Sequence, residues 1–211
     1  MSKLFLTSYF SGVADLFPGF AGEDCSGKKV VFIPTASLPE KVTFYVNIDK
    51  KALQKLGMII EDLEISTASK EEIEKSIANT DYIFVSGGNT FFLLQELKRK
   101  CADKTIIEHI SNGKLYIGSS AGSIVLSKDI GYVKIMDSTN AAPDLNGDYS
   151  ALSVVDFCVV PHLTNFPFKK VAEKIIKEFS DILDIRGISN NQVIIVDGER
   201  VETLTAKGKQ K

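Results

Sequence analysis

Apolar residues in this chain fall into two alternating arrangements, short unbroken runs and longer stretches with helical spacing. Residues 3–8, 29–34, 59–65, 82–85 and 115–118 are runs of strand length. The second (Lys-Val-Val-Phe-Ile-Pro) and fourth (Tyr-Ile-Phe-Val) are continuously apolar, as strands buried on both faces are. Between them, residues 13–20, 39–56, 69–78, 89–100 and 105–111 carry helical periodicity. Gly57 and Gly113 stand as stops, and Ser69 with Glu72 forms a capping box. A βαβαβ rhythm with short connections predicts a parallel sheet flanked by helices. Right-handed crossovers then gather the carboxyl ends of the strands on one edge, where α/β proteins build their sites.

Beyond Lys128 the pattern changes. Residues 130–151 are rich in Gly, Asp, Asn and Ser and read as loop. Residues 152–160 read as a strand, 168–183 as an amphipathic helix, and 191–204 as a β-hairpin turning at Asp197-Gly198. The basic tail, 206–211, is expected to fray. With no repeat or linker, residues 1–211 are expected to form one domain.

The chemistry concentrates at three turns. Gly118-Ser119-Ser120-Ala121-Gly122 follows the strand 115–118 and precedes a helical run at 123–126, which is the strand–turn–helix setting of a G-x-S-x-G nucleophile elbow. Ser120 is the candidate nucleophile; the other reading of this turn is a phosphate-binding or tightly packed glycine loop. Ser86-Gly87-Gly88-Asn89-Thr90 ends the strand 82–85 on the same expected edge. Its glycine N–H groups, with that of Ala121, are candidate oxyanion donors, while capping by Asn89 or Thr90 would account for the motif without chemistry. The chain has two histidines. His162 leaves the strand 152–160 at its carboxyl end, after the serine in chain order, and is the candidate base. His109 sits near a helix C-terminus and is expected at the surface, favoured there by the dipole.

Taken in order, S-G-G-N-T, Y-I-G-S-S-A-G and P-H-L-T-N resemble the S51 serine peptidases, the family of aspartyl dipeptidase (peptidase E) and cyanophycinase. The likeness runs from about Lys29 to Gly198. It implies a flavodoxin-like parallel sheet flanked by helices with a C-terminal β-hairpin, related to class I glutamine amidotransferases. It also implies Ser120 as nucleophile, His162 as base, and Gly88 with Ala121 as oxyanion hole. Asn140 falls at the register of the third, acidic member, with Asp137 and Asp144 as alternatives. An Asn there orients a histidine but does not stabilise imidazolium as a carboxylate does. Asn89, Thr90, Asn165, Lys169 and Lys170 are the candidate substrate contacts; the two lysines also fit a solvated helix face. The segment after Asn165, Phe166-Pro167-Phe168-Lys169-Lys170, has no arginine to hold an N-terminal aspartate. Strict Asp-X specificity is therefore not expected, and Phe166 and Phe168 suggest a more apolar pocket or simply core.

Composition narrows the alternatives. The 211 residues are 44% hydrophobic and 25% charged, enough for a sizeable core without staples. The net charge of −2 gives no pull toward nucleic acid or anionic lipid, and no apolar run approaches the ~20 residues of a membrane helix. Three widely spaced cysteines, Cys25, Cys101 and Cys158, suit a reducing, cytoplasmic setting. Cys158 is expected in the core, and none has a base beside it. No cluster has metal-ligand spacing, so no metal or cofactor is expected, and the expected partner is a small peptide substrate. Two further readings compete: a small α/β-hydrolase esterase, for which the histidine-glycine oxyanion motif is missing, and an inactive S51-like binding protein without a proper triad acid.

Overall fold

The computed structural model describes residues 2–207. A seven-stranded sheet in the order β3-β2-β4-β5-β1-β8-β9 runs through the molecule. Five of its strands are parallel: β1 (Lys3–Thr7), β2 (Lys29–Ile33), β3 (Ile59–Asp62), β4 (Tyr82–Val85) and β5 (Leu115–Ser119). Strand β8 (Gln192–Asp197) pairs antiparallel with β1, and β9 (Arg200–Thr205) closes the hairpin as the edge. Strands β2, β4 and β5 are almost wholly buried because helices cover both faces, which is why they read as unbroken apolar runs. One core lies between the sheet and α3 (Lys70–Ala78), α4 (Thr90–Arg99) and α5 (Ala102–Ser111); the other lies under α1 (Phe17–Ala21) and α2 (Phe44–Lys55). In the second, Phe5, Phe10, Phe17, Phe32 and Phe84 pack as edge-to-face and stacked pairs. The capping box at Ser69 forms as the sequence predicts, with Glu72 N–H donating to Ser69 Oγ and Ser69 N–H to the Glu72 carboxylate.

Several expectations are corrected. Helix α2 begins at Phe44, not at residue 39. Leu38, Val42 and Phe44 are exposed, so their apolar spacing belongs to a surface rim and not to the buried face of a helix. The region 13–20 starts as two 3₁₀ turns before α1. Of 152–160, only Cys158–Val160 is a strand, β6. Leu152 and Val154 donate to Val125 and Leu126 carbonyls instead, and Ser153 adopts a positive φ of 53°. Strand β6 also stands apart from the main sheet, paired with β7 (Ile185–Gly187), a strand the sequence pattern does not announce. The amphipathic helix there is α7 (Lys169–Phe179), shorter than 168–183. His109 is not at the surface: it is 4% exposed at the end of α5, its Nε2 is 3.4 Å from the Leu115 carbonyl, and burial lowers its pKa to about 4. Cys25 and Cys158 are buried and Cys101 is exposed. Of the tail expected to fray, 208–211 lie outside the described residues. No helix among the described residues is long and apolar enough to cross a membrane.

Candidate active site

The parallel pairing of β1 with β5 aligns Thr7 with Ser119, so the next residues, Ser8 and Ser120, leave the sheet side by side. Ser120 turns the chain from β5 into the short helix α6 (Ala121–Ile124) with φ 51° and ψ −108°, a conformation that costs a non-glycine residue about 1–3 kcal/mol. Its N–H donates to the Thr7 carbonyl at 2.9 Å, and its carbonyl accepts from Ser123 and Ile124. The flanking glycines are steric necessities. A Cβ on Gly122 would stand 2.1 Å from the Val85 carbonyl oxygen, and one on Gly118 would stand 2.7 Å from that of Gly122. Gly122→Ala is accordingly expected to cost about 3 kcal/mol of folding stability, read as a lower urea midpoint.

His162 follows β6 and also takes a positive φ, 62°. Its Nε2 lies 3.0 Å from Ser120 Oγ. On the other side of the ring, Nδ1 lies 2.9 Å from Asn190 Oδ1 and 3.1 Å from Ser8 Oγ. Ser8 Oγ donates to Asn190 Oδ1 at 2.9 Å and accepts from the His162 N–H at 2.6 Å, so its one proton is used. Nδ1 therefore faces acceptors and carries the ring proton. That leaves the Nε2 lone pair for the Ser120 hydroxyl, the tautomer a general base requires. Asn165 braces this group from behind, its Oδ1 accepting from the Asn190 N–H at 2.9 Å. Phe168 stacks on the imidazole at a centroid distance of 4.9 Å. Burial lowers the His162 pKa below its usual 6.5, and the Asn190 hydrogen bond opposes this only in part.

The side chain that meets His162 Nδ1 is thus Asn190, and not Asn140 or its alternatives. Asn140 is exposed in the 3₁₀ turn Thr139–Ala141, its N–H donating to Ser138 Oγ. The Asp137 carboxylate accepts from the N–H of Thr90 at 2.8 Å and from its hydroxyl at 2.5 Å, at the start of α4; burial lifts its pKa to about 6. Asp144 is exposed, and its N–H donates to the Gln95 side chain. The loop 137–144 is pinned against α4 and offers none of these groups to His162.

The other candidates sort by the partners they hold. Asn89 caps α4 through Oδ1 and donates Nδ2 to the Ser138 carbonyl, so both ends of its amide are occupied. Thr90 is occupied by Asp137. Lys169 is exposed and paired with Glu173 along α7, and Lys170 is exposed beside it. Gly88, with φ 136°, lies where a Cβ would come within 2.1 Å of the Ala36 carbonyl oxygen. Among the described residues, neither the Gly88 nor the Ala121 N–H has a hydrogen-bond partner. Gly87 lies closer to the serine: a Cβ there would sit 3.2 Å from Ser120 Cβ and 3.8 Å from Tyr45 Cε2.

Nothing in the local sequence pattern singles out Ser8, Asn190, Tyr45 or Asp49. Asp49, on α2, is 1% exposed. It accepts from Ser119 Oγ at 3.0 Å and from the Ser11 N–H at 3.2 Å, and burial raises its pKa to about 7. Among the described residues, no group of three or more His, Cys, Asp or Glu side chains is placed to hold a metal ion.

A serine and a histidine in hydrogen-bonding contact at the carboxyl edge of a largely parallel sheet describe a hydrolase-like α/β protein. The sequence profile of peptidase family S51 matches residues 1–204, and the chain belongs to that family. It is 49% identical over 209 residues to an uncharacterized peptidase of Listeria innocua, covering 99% of each chain. It is 34% identical over 140 residues to peptidase E of Salmonella arizonae, covering 65% of this chain and 56% of that one. The 1.5 Å crystal structure of a protein from Listeria monocytogenes EGD-e, named there as a candidate peptidase E, superposes with a TM-score of 0.93 at 49% identity, covering 98% of this chain and 100% of that one.

Proposed function

We propose that this protein is a serine peptidase that cleaves short peptides through an acyl-enzyme on Ser120. The observation that carries the reading is the 3.0 Å approach of Ser120 Oγ to His162 Nε2 at a strained elbow. In the first step Ser120 Oγ attacks the scissile carbonyl carbon as Nε2 takes its proton. The oxygen, now carrying the charge, rests on the N–H groups of Gly88 and Ala121. The imidazolium then returns its proton to the departing amine as the C–N bond breaks. Water, deprotonated by the same nitrogen, releases the acid and frees Ser120.

Asn190 orients His162 and fixes its tautomer but supplies no negative charge. This neutral amide favours the second reading, a slow or inactive S51 scaffold that binds peptides. Substrate preference is expected to be for neutral acyl residues, because the histidine side of the site is walled by Phe168 and the nearby lysines are solvated along α7. Phe166, 95% exposed, and Phe44, 65% exposed, extend apolar surface from the two flanking segments. The three unpaired cysteines suit a reducing compartment, and we place the protein in the cytoplasm.

Release of free amine from paired Asp-X, Leu-X and Phe-X dipeptides tests the reading. Turnover of the neutral-first dipeptides by wild type and none by Ser120→Ala is the expected result; turnover that survives Ser120→Ala contradicts it. The pH profile follows from the shift of His162. The base works only when neutral, and burial holds its pKa below the usual value, so the acid limb of kcat/KM is expected to have its midpoint below pH 6.5.

A further inference from the structure

Tyr45, in the first turn of helix α2, carries a hydroxyl that the folded chain itself does not use. Its hydroxyl is buried yet has no hydrogen-bond partner among the described residues. Buried phenols ordinarily find one. The ring stands across a gap from the nucleophile. The space a Gly87 side chain would fill is bounded by Ser120 Cβ, the Ser119 carbonyl and Tyr45 Cε2, at 3.2, 3.5 and 3.8 Å. The φ of Gly87 is not in the left-handed region, so what glycine provides here is room beside the serine, on the side facing Tyr45. Burial and the nearby Glu40, Asp137 and Asp49 carboxylates push the phenol up to about 12, so it stays protonated and keeps a proton to donate to an incoming acceptor.

Building on the acyl-enzyme reading above, we infer that Tyr45 is a substrate-contacting residue. Its Oη donates a hydrogen bond to the oxygen of the reacting carbonyl group of a molecule seated over Gly87. The class of ligand is a neutral acyl compound. The hydroxyl adds a third donor to the Gly88 and Ala121 N–H groups, and the acidic groups around it disfavour a ligand that arrives already anionic. An unpaired donor waiting in the resting enzyme is also what a site does when it keeps its hydrogen bond for the reacting state.

The test compares Tyr45→Phe with wild type, using p-nitrophenyl acetate hydrolysis and the second-order rate of fluorophosphonate labelling. The substitution removes one oxygen that holds no partner, so the thermal midpoint is expected to stay level or rise. The rates are expected to fall about 10–100-fold, mainly in kcat for the ester. Rates within about twofold of wild type, against a reactive wild type, overturn the role of Tyr45 while leaving Ser120 in place. A rate loss matched by a lowered thermal midpoint makes the hydroxyl structural and overturns the role as well. A wild type that reacts with neither probe overturns the Ser120 reading, and the inference with it.

Discussion

His162→Ala is expected to lower kcat/KM on any peptide or ester substrate about 10⁴-fold, with Ser120→Ala equally low and the double variant no lower than either. The reason is geometric. Among the described residues, His162 is the one base within hydrogen-bonding distance of Ser120 Oγ, and a serine hydroxyl is a poor nucleophile without one. Residues that act on one proton fail as a unit, so the second substitution removes nothing the first has left. Steady-state kinetics on the three variants check this. Additive losses in the double variant would mean that the two side chains act in separate steps. Neither change should disturb the fold, since the elbow is held by the Ser120 backbone and by the glycines around it, not by its hydroxyl.

Asn190→Asp is expected to raise kcat about 10–100-fold and to move the acid limb of the pH profile upward. Asn190 Oδ1 already accepts from Ser8 Oγ and from His162 Nδ1, so a carboxylate oxygen would inherit both donors in place. What changes is charge. A carboxylate at 2.9 Å would stabilise the imidazolium formed in the proposed transfer of the Ser120 proton. The same attraction raises the pKa of His162 in the free enzyme, opposing the lowering by burial, so more acid remains bound at a given pH and the limb shifts to higher pH. Asn190→Ala should do the reverse to the rate, because Nδ1 loses its main acceptor and the ring its orientation. A pH–rate profile for the three proteins separates these outcomes. An Asn190→Asp protein no faster than wild type would show that charge at this position is not what limits turnover.

A residue's role is legible in the sequence as far as the place where it leaves the sheet is. Strands β2, β4 and β5 declare themselves because burial on both faces demands continuous apolar residues, and the parallel order follows from the helices between them. The elbow is legible for a similar reason: Gly118 and Gly122 are required by contacts of 2.7 and 2.1 Å, so the chemistry is written into local sequence. For the partner of His162 the resemblance points to the loop 137–144, where an acidic residue stands in the resembled family. That loop is consumed in capping and bracing α4 through Asp137 and Ser138. Asn190 carried a topological signal instead. Strand β8 runs antiparallel to β1, with Val193 opposite Thr7, so the residues just before β8 emerge at the edge where the parallel strands end. A hairpin seen in isolation does not reveal that; its pairing partner does. Ser8 is found the same way, one residue beyond the β1–β5 register. Leu38, Val42 and Phe44 mislead in the opposite sense, because apolar spacing near a site rim imitates a helix face.

The central claim is that Ser120 is an activated nucleophile. Intact-mass analysis after exposure to a fluorophosphonate, followed by peptide mapping, tests it most directly. One adduct per chain is expected, located on Ser120, absent from Ser120→Ala and reduced to trace in His162→Ala. A folded wild-type protein that acquires no adduct, or one whose adduct persists in Ser120→Ala, would contradict it.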